Sequence, residues 1–351
     1  MPSVRDVARH ADVSPATVSR VLNKPGMVSA ELRDRVLRAV RATGYSPPER
    51  PVSNDHLGLV YTGGPVTAEF GGFDAAVVSG SAQAALEERF DVIVTGLDSL
   101  GPPLTTYTDL FRTIGIRGAV IRTMGEGREL CEAIAEEGFP AVVIGDRFDN
   151  PAVNYVCYDS VADSRRAVSH LADLGHKRIA MCIHMVRDSD HDDRRQAYRD
   201  ALEAKGLEYD PELTVEVIAD SNGGATAVNR LLSMASPPTA IFFTDPLSTV
   251  GGIRRTLEIG LEIPRDLSIV GFDDGHLRKL TYPPFTAVCQ DSSRLATIAT
   301  KWLAQQLRMG ENVGTLRLTN ETFFEVNRTT DVPPAQPVRV SPSGQRLTPK
   351  T

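Results

Sequence analysis

Short apolar runs alternate with longer amphipathic segments over most of this 351-residue chain. Such alternation predicts strands and helices in turn, which build parallel sheets with helices on both faces. The runs form two groups of four. We therefore predict an α/β fold with two sheet-containing lobes and a ligand crevice at the strand ends. The runs are Leu57–Tyr61, Phe90–Val94, Gly118–Ile121, Ala141–Ile144, Arg178–Ile183, Leu213–Ile218, Ala240–Phe243 and Ser268–Phe272.

The first 45 residues have a different pattern, that of three short helices. Ser3 begins a capping box for the first helix. Ser14 can cap the second, with Pro15 at its first position. A third helix is predicted between Ser29 and Gly44. The apolar faces expected for the second and third helices comprise Val18, Val21, Leu22, Leu32, Val36, Leu37 and Val40.

This N-terminal segment is basic inside an acidic protein. Residues 1–50 contain nine Lys/Arg and five Asp/Glu, whereas the whole chain has a net charge of −7. Thr17, Ser19 and Arg20 fall on the outer face of the second helix, as in a helix that enters the DNA major groove. A helical bundle without a nucleic-acid role is the alternative. The local positive charge and the placement of the polar residues favour a DNA-binding helix-turn-helix.

Composition changes on either side of the two-lobed region. Residues 46–56 hold three prolines within five positions, which excludes a regular helix and favours an extended spacer. Residues 331–351 are rich in Pro and Ser, so we expect a disordered tail. The predicted domains are therefore 1–46 for the helix-turn-helix, 47–56 for the linker and 57–330 for the two-lobed core.

Several protein classes are disfavoured by what the sequence lacks. It has no run of about eighteen apolar residues for a membrane span and no signal peptide. Its four cysteines form no CxxC pair, as expected for reduced thiols in the cytoplasm. Neither a P-loop nor a G-x-S-x-G or H-E-x-x-H motif occurs, so we predict neither an enzyme nor a cofactor.

Taken together, several motifs resemble those of the lactose-repressor (LacI/GalR) family of bacterial transcriptional regulators, over residues 3–330. They include D-V-A-R-H-A-D-V-S-P-A-T-V-S-R-V-L-N at 6–23, H-L-A-D-L-G-H-K-R-I-A at 170–180 and D-L-S-I-V-G-F-D-D at 266–274. The resemblance implies a homodimer on a pseudo-palindromic operator in double-stranded DNA. It also implies a small effector, most often a sugar, bound between two lobes similar to those of periplasmic sugar-binding proteins. Three strand crossings between the lobes are expected near residues 154–158, 286–289 and 319–324.

The resemblance assigns DNA contacts to the first three helices. Pro15 and Ala16 occupy base-reading positions, where Ala16 can touch only a thymine methyl group, so direct readout relies more on Arg20. Asp12 replaces a turn glycine and tolerates the left-handed conformation. The linker lacks the family's leucine wedge, so minor-groove kinking is not expected. The predicted DNA-binding residues are Ser14, Pro15, Ala16, Thr17, Ser19, Arg20, Asn23 and Ser29.

The resemblance also places residues at the strand and helix ends that face the cleft. Phe73 would stack on the effector. Packing of this side chain in the core is an alternative of equal weight. Charged side chains across the cleft would bind sugar hydroxyls or a carboxylate, or would pair with each other between the lobes. Thr244 replaces the family's usual asparagine. The predicted effector-binding residues are Phe73, Asp74, Asp146, Arg147, Arg194, Asp245 and Asp273.

A cluster of acidic residues and histidines between His184 and Asp193 superficially resembles a metal site. Its spacing matches no standard site, so we interpret it as a solvated loop at the cleft mouth and predict no metal. The function expected from the sequence is a DNA-binding transcriptional repressor that responds to a small polar effector. A solute-binding protein with a degenerate DNA-binding head is the alternative. It is favoured by the short linker and opposed by the intact head pattern.

Overall fold

The computed structural model describes residues 3–23, 28–45, 56–63, 71–97, 106–123, 127–185, 188–309, 314–341 and 344–347. The chain divides into two compact units, Met1–Asn54 and Asp55–Thr351. The predicted linker at 47–56 lies outside the described residues except for His56, which begins the first strand.

The first unit contains three described helices, α1 (Val4–His10), α2 (Pro15–Asn23) and α3 (Ala30–Thr43). The predicted capping box is present, since the Ser3 and Asp6 side chains each bond the other residue's backbone amide. Leu37 was expected in the apolar face of α3 but is 37% exposed, because Val36 and Ala39 already fill that face. The core of the unit consists of Val7, Ala8, Ala11, Val18, Val21, Val36, Ala39 and Tyr45.

Two residues with left-handed backbone conformation lie at the ends of these helices. Asp12, between α1 and α2, has a φ of 52°, and Gly44, after α3, has a φ of 64°. Asp12 therefore adopts the conformation that a glycine would provide, as its side chain allows. Both turns lie where the sequence predicted them.

Lobe 1 of the second unit contains an all-parallel sheet with the order β11-β5-β4-β3-β1-β2. Its strands are β1 (His56–Tyr61), β2 (Asp91–Gly96), β3 (Ile116–Arg122), β4 (Ala141–Ile144), β5 (Tyr155–Asp159) and β11 (Arg317–Glu321). The helices of this lobe are α4 (Gly72–Glu87), α5 (Tyr107–Thr113), α6 (Gly127–Glu136) and α12 (Ser292–Met309). Gly80 lets α4 approach α12 closely, since a Cβ there would lie 2.3 Å from the Ser293 carbonyl oxygen.

Lobe 2 repeats this arrangement with the strand order β12-β10-β9-β8-β6-β7, in which β12 is antiparallel to β10. Its strands are β6 (Ile179–His184), β7 (Thr214–Val217), β8 (Ala240–Phe243), β9 (Ser268–Asp273), β10 (Thr286–Cys289) and β12 (Phe323–Glu325). Its helices are α7 (Val161–Asp173), α8 (Ser189–Ala204), α9 (Ser221–Leu232), α10 (Pro246–Glu258) and α11 (Leu277–Leu280).

The chain passes between the lobes at the expected places. It leaves lobe 1 after β5, returns after β10, and crosses again between β11 and β12. Two of these crossings are tied together, because the Tyr158 hydroxyl bonds both the carbonyl oxygen and the amide of Asp291 at 3.2 Å. The two-lobed α/β fold predicted from the sequence is confirmed.

The expectation of a disordered tail at 331–351 is wrong for its described part. Val338 and Val340 are 2% and 1% exposed in the core of lobe 2. Arg346 bonds both carboxylate oxygens of Asp266 at 3.1 and 3.2 Å. Burial of the two valines stabilises the packing of this segment against lobe 2, although its overall composition is rich in Pro.

Candidate functional site

The solvent side of α2 carries the predicted base-reading side chains. Pro15 and Ala16 are exposed in the first turn and Arg20 further along, whereas Val18 and Val21 are buried. Exposed amides at a helix N-terminus bind phosphate, and a guanidinium suits the edge of a guanine in the major groove. The geometry of α2 is therefore that of a helix able to contact DNA.

The hydroxyl side chains near the helix ends have a capping role. Ser14 Oγ accepts a hydrogen bond from the Thr17 amide at 3.0 Å and lies 2.8 Å from Thr17 Oγ1. Ser29 Oγ accepts from an amide of α3 at 3.4 Å. Ser19 is exposed on α2, and Asn23 is its last residue. Capping is compatible with phosphate binding, because a helix start has more amides than one cap can satisfy.

In the second unit, Phe73 and Asp74 stand in the first turn of α4, opposite Arg122 at the end of β3. The Arg122 guanidinium lies 4.5 Å from the Phe73 ring centroid, and its Nε is 3.6 Å from Asp74 Oδ1. The Phe73 ring also packs against the core of lobe 1. It approaches Gly145, where a Cβ would lie only 2.8 Å away. Phe73 therefore has both a core contact and a place in the cleft wall.

Asp146, after β4, is a fully buried junction between the lobes. Its Oδ1 accepts hydrogen bonds from Arg128 Nη1 and from Ser189 Oγ, both at 2.6 Å, and from the Arg147 amide at 2.9 Å. Ser189 begins α8 of lobe 2, so this carboxylate bridges the two lobes. Charge-assisted bonds of this length are among the stronger ones in proteins.

Two further ion pairs join the lobes. Arg147 Nη2 lies 2.7 Å from Asp193 Oδ2, and Arg122 Nη1 lies 4.0 Å from Asp188 Oδ2. Direct pairing between the lobes, which the sequence left open for the charged cleft residues, therefore occurs at Asp146 and Arg147. This pairing between the lobes does not exclude a bound ligand, because it involves only some of the charged side chains that line the cleft.

The interpretation of the segment from His184 to Asp193 as a solvated loop is wrong for residues 188–193. Asp188 is the N-cap of α8 and accepts from the His191 amide at 2.8 Å, and Asp190 is 6% exposed. Helix α8 therefore begins at Ser189, and the Asp190 carboxylate in its first turn is buried. Burial opposes ionisation of Asp188, but the neighbouring His191 and Arg122 hold its pKa below the usual range. Burial raises the pKa of Asp190 above its usual range.

Arg194 lies at the centre of the lobe-2 side of the cleft and is 6% exposed. Its guanidinium lies 3.9 Å from the Phe272 ring centroid, donates from Nη1 to the Thr244 carbonyl oxygen at 2.9 Å, and has Nη2 3.6 Å from Asp190 Oδ2. Asp245 caps α10 by accepting from the Ser248 amide at 3.0 Å. Arg194 is thus positioned by packing and by a backbone acceptor.

Two more carboxylates act electrostatically on Arg194. Burial raises the pKa of Asp245 to about 7 and that of Asp274 to about 6, and Arg194 opposes both shifts. The Gln290 side chain donates from Nε2 to Asp274 Oδ1. We call Asp190, Arg194, Asp245, Asp274 and Gln290 the Arg194 group.

Asp273 lies outside this group. Its Oδ2 is 2.6 Å from Arg278 Nη1, and its Oδ1 accepts from the Leu277 amide at 3.1 Å. Arg278 continues to Glu325 of β12 at 2.9 Å. The next residue, Asp274, is the one that interacts electrostatically with Arg194, since Asp273 is engaged by the start of α11.

Several buried polar atoms around the cleft have no hydrogen-bond partner among the described residues. They are Arg122 Nε and Nη1, Asp190 Oδ1, Thr244 Oγ1, Ser248 Oγ and Gln290 Oε1. An unsatisfied buried polar group costs about 1–3 kcal/mol, and such groups call for an explanation where they cluster. Donors from lobe 1 and acceptors from lobe 2 together form a surface that suits a polar ligand.

Sequence reasoning missed Arg122, Asp188, Asp190, Asp274 and Gln290. A signal was available for Arg122, which follows a predicted strand at its carboxyl end, and for Asp190, which stands four residues before Arg194. No pattern distinguishes Asp273 from Asp274, because the choice depends on which one meets α11. Among the described residues, no helix combines the length and apolar character that membrane crossing requires.

Comparison with known proteins agrees with this geometry. Residues 3–48 match the family described as bacterial regulatory proteins, lacI family, and residues 168–324 match the periplasmic binding protein-like domain. The ribose operon repressor of Haemophilus influenzae is 30% identical over 321 residues, covering 91% of this chain and 96% of that protein. The repressor CytR of Escherichia coli K12 is 29% identical over 319 residues, covering 89% and 91%.

Solved structures show the same fold. The transcriptional regulator CelR in complex with cellobiose matches with a TM-score of 0.66 and 28% identity, over 94% of this chain and all of that chain. A putative LacI transcriptional regulator from Bacillus cereus matches with a TM-score of 0.68 over 79% of this chain and 99% of that chain, at 24% identity. The chain therefore belongs to the lacI family of bacterial regulatory proteins and is a DNA-binding transcriptional regulator.

Proposed function

We propose that this regulator is a repressor whose operator affinity is controlled by a small polyhydroxylated effector, a sugar, bound between lobes 1 and 2. The cluster of unsatisfied donors and acceptors on the two walls of the cleft carries this proposal. Paired guanidinium and carboxylate groups bind vicinal hydroxyls by directional, charge-assisted bonds. The relatives named as a ribose operon repressor and as a cellobiose complex support the same ligand class.

Within the cleft, Arg122, Asp74 and Phe73 would form the lobe-1 wall, and the Arg194 group the lobe-2 wall. A ligand that bonds both walls favours the arrangement in which they lie close together. It would act with the existing bridges from Asp146 to Ser189 and from Arg147 to Asp193. Control of DNA binding is then a coupling free energy between the cleft and the helix-turn-helix unit, set by the effector's preference for one lobe arrangement.

The active form would be a homodimer on a pseudo-palindromic operator, acting in the cytoplasm, where bacterial DNA lies. Exposed apolar side chains on lobe 2 support self-association. Leu280 is 78% exposed, Tyr282 is 85% exposed and Phe323 is 51% exposed, a degree of exposure that is unusual for large apolar side chains. Symmetric dimers match the two half-sites of an operator.

Selection of bound DNA from a random duplex pool tests the regulatory function. We expect one palindrome to be enriched, with binding that weakens as salt rises. The selected duplex is then titrated with candidate sugars to find those that change its affinity for the protein. Sequence-independent, salt-sensitive binding alone would contradict the proposal and favour a solute-binding role.

A further inference from the structure

The Arg194 group has more carboxyl groups than cationic groups. Three carboxylates, those of Asp190, Asp245 and Asp274, act on one guanidinium. The nearby His184 supplies no compensating cation at neutral pH, because burial lowers its pKa to about 4. Asp273 contributes no free charge here, because Arg278 is paired with it.

The charges that face this group from lobe 1 do not remove the excess. Arg122 and Arg147 both act on Asp190, but Arg122 is shared with Asp74 and Asp188, and Arg147 is paired with Asp193. Asp146 also acts on Asp190 and raises its pKa further. The described charges around the lobe-2 wall therefore favour a positively charged ligand group and disfavour an anion.

Neutral side chains in the same place independently point to a ligand that donates hydrogen bonds. Gln290 is 5% exposed, and its Nε2 contacts Asp274 while its Oε1 has no partner. Thr244 is fully buried, and its Oγ1 has no partner although its backbone oxygen holds Arg194. With Asp190 Oδ1, which also has no hydrogen-bond partner among the described residues, these are three buried oxygen atoms able to accept hydrogen bonds from a ligand.

We propose that the effector is a polyhydroxylated amine, such as an amino sugar, whose ammonium group binds among Asp190, Asp274 and Gln290. This inference rests on the proposed function and narrows its ligand class. An ammonium group supplies three hydrogen-bond donors and one positive charge. It can therefore donate to the unpartnered oxygen atoms and balance the additional carboxyl groups. A phosphorylated or carboxylated sugar would instead meet the three carboxylates at close range.

Binding of a cation would also release protons. Burial raises the pKa of Asp245 to about 7 and that of Asp274 to about 6, so both carboxyls are partly protonated near pH 6.5. An ammonium group favours their ionised forms, and the displaced protons pass to the buffer. A neutral sugar has no charge that would drive this release.

The test uses the full-length protein and three matched sets of probes at pH 6.5. Each set comprises an amino sugar, its parent sugar and its N-acetyl derivative, for glucosamine, galactosamine and mannosamine. Isothermal titration in two buffers of different ionisation enthalpy measures affinity and proton release together. We expect at least one amine to bind about tenfold more tightly than its parent and its N-acetyl form, with net release of protons.

Variants then assign the effect to the Arg194 group. Asp274→Asn and Asp190→Asn should each weaken binding of the amine about tenfold and leave the parent sugar within about threefold. Asp192→Asn is the matched control, because Asp192 lies on the same turn of α8 but is exposed. Circular dichroism checks that each variant is folded.

Equal or tighter binding of a parent or N-acetyl sugar overturns this inference and leaves the proposed function standing. Failure of every amine to bind overturns it as well, while the operator selection decides the regulatory function separately. Binding of an amine that Asp274→Asn and Asp190→Asn both leave unchanged also contradicts the proposal.

Discussion

At the scale of single residues, exposure and bonding partners set Arg20, predicted to read bases, apart from Asp273 and Arg278 of lobe 2. Arg20 is exposed on α2 and has no competing ion pair among the described contacts. Asp273 and Arg278 are the opposite case, since both are buried and bonded at 2.6 Å. The residue type alone does not show whether a charged side chain binds DNA or stabilises the fold. The exposure of the side chain and its bonding partners distinguish these two roles.

Replacement of Arg20 by Ala should weaken operator binding by about 1–3 kcal/mol, because a base-edge contact is lost. Arg20→Lys is the matched variant, since it keeps the charge but loses the bidentate geometry. Fluorescence anisotropy with the selected operator measures both. Effector affinity should not change, and an Arg20→Ala protein with full operator affinity would remove this residue from the recognition surface.

Arg278→Met should destabilise the two-lobed unit by about 3–5 kcal/mol, because it leaves the fully buried Asp273 carboxylate without a partner. Asp273→Asn should cost less, since an amide oxygen can still accept from the Leu277 amide. Urea denaturation measures both variants. A loss below about 1 kcal/mol in Arg278→Met would show that the pair does not hold α11 to β9.

At the scale of elements, periodicity predicted the repeated strands and composition misread two segments. The strands Ala141–Ile144 and Ala240–Phe243 have their predicted bounds. The start of α8 was missed because its first turn is entirely polar, and its helical state depends on the Asp188 cap. The Pro/Ser-rich composition of residues 331–351 predicts a disordered tail, although Val338 and Val340 are buried.

A matched pair of substitutions tests the packed C-terminal segment. Val338→Ala should lower the free energy of unfolding by about 2 kcal/mol, because Val338 is 2% exposed and its loss leaves a cavity. Val332→Ala should change it by less than about 0.5 kcal/mol, because Val332 is 60% exposed. Thermal denaturation measures both variants. Similar losses of stability would contradict the packing of this segment and support a disordered tail.

For the whole molecule, the cleft is where the two lobes influence each other. Asp146 of lobe 1 is completed by Ser189 of lobe 2, and Arg147 by Asp193. The Tyr158 hydroxyl ties two of the crossings to each other. Because buried carboxyls of lobe 2 belong to this surface, the stability of the two-lobed unit depends on pH.

The free energy of unfolding should rise by on the order of 1 kcal/mol as pH falls from 8 to 6.5. Burial raises the pKa of Asp245 to about 7 and that of Asp274 to about 6, so the folded protein binds protons in this window while unfolded carboxyls stay ionised. Below about pH 6.5 His184 opposes part of this gain, because burial lowers its pKa to about 4 and only the unfolded chain protonates it there.

Urea denaturation at several pH values measures this dependence. Asp245→Asn keeps an acceptor for the α10 cap and should reduce the slope between pH 8 and 6.5, while Asp190, whose pKa burial also raises, contributes to the remainder. An unchanged slope in this variant would assign the pH dependence to other groups.

The sequence by itself determined the two kinds of unit, the strand and helix order, the family resemblance and the polar face of α2. These depend on local periodicity and on short motifs, which neighbouring residues carry. Only the tertiary structure decided that Asp274 rather than Asp273 acts on Arg194, that Asp190 is buried, and that Val338 and Val340 belong to the core. Each of these depends on contacts between segments far apart in the chain, which a local pattern does not encode.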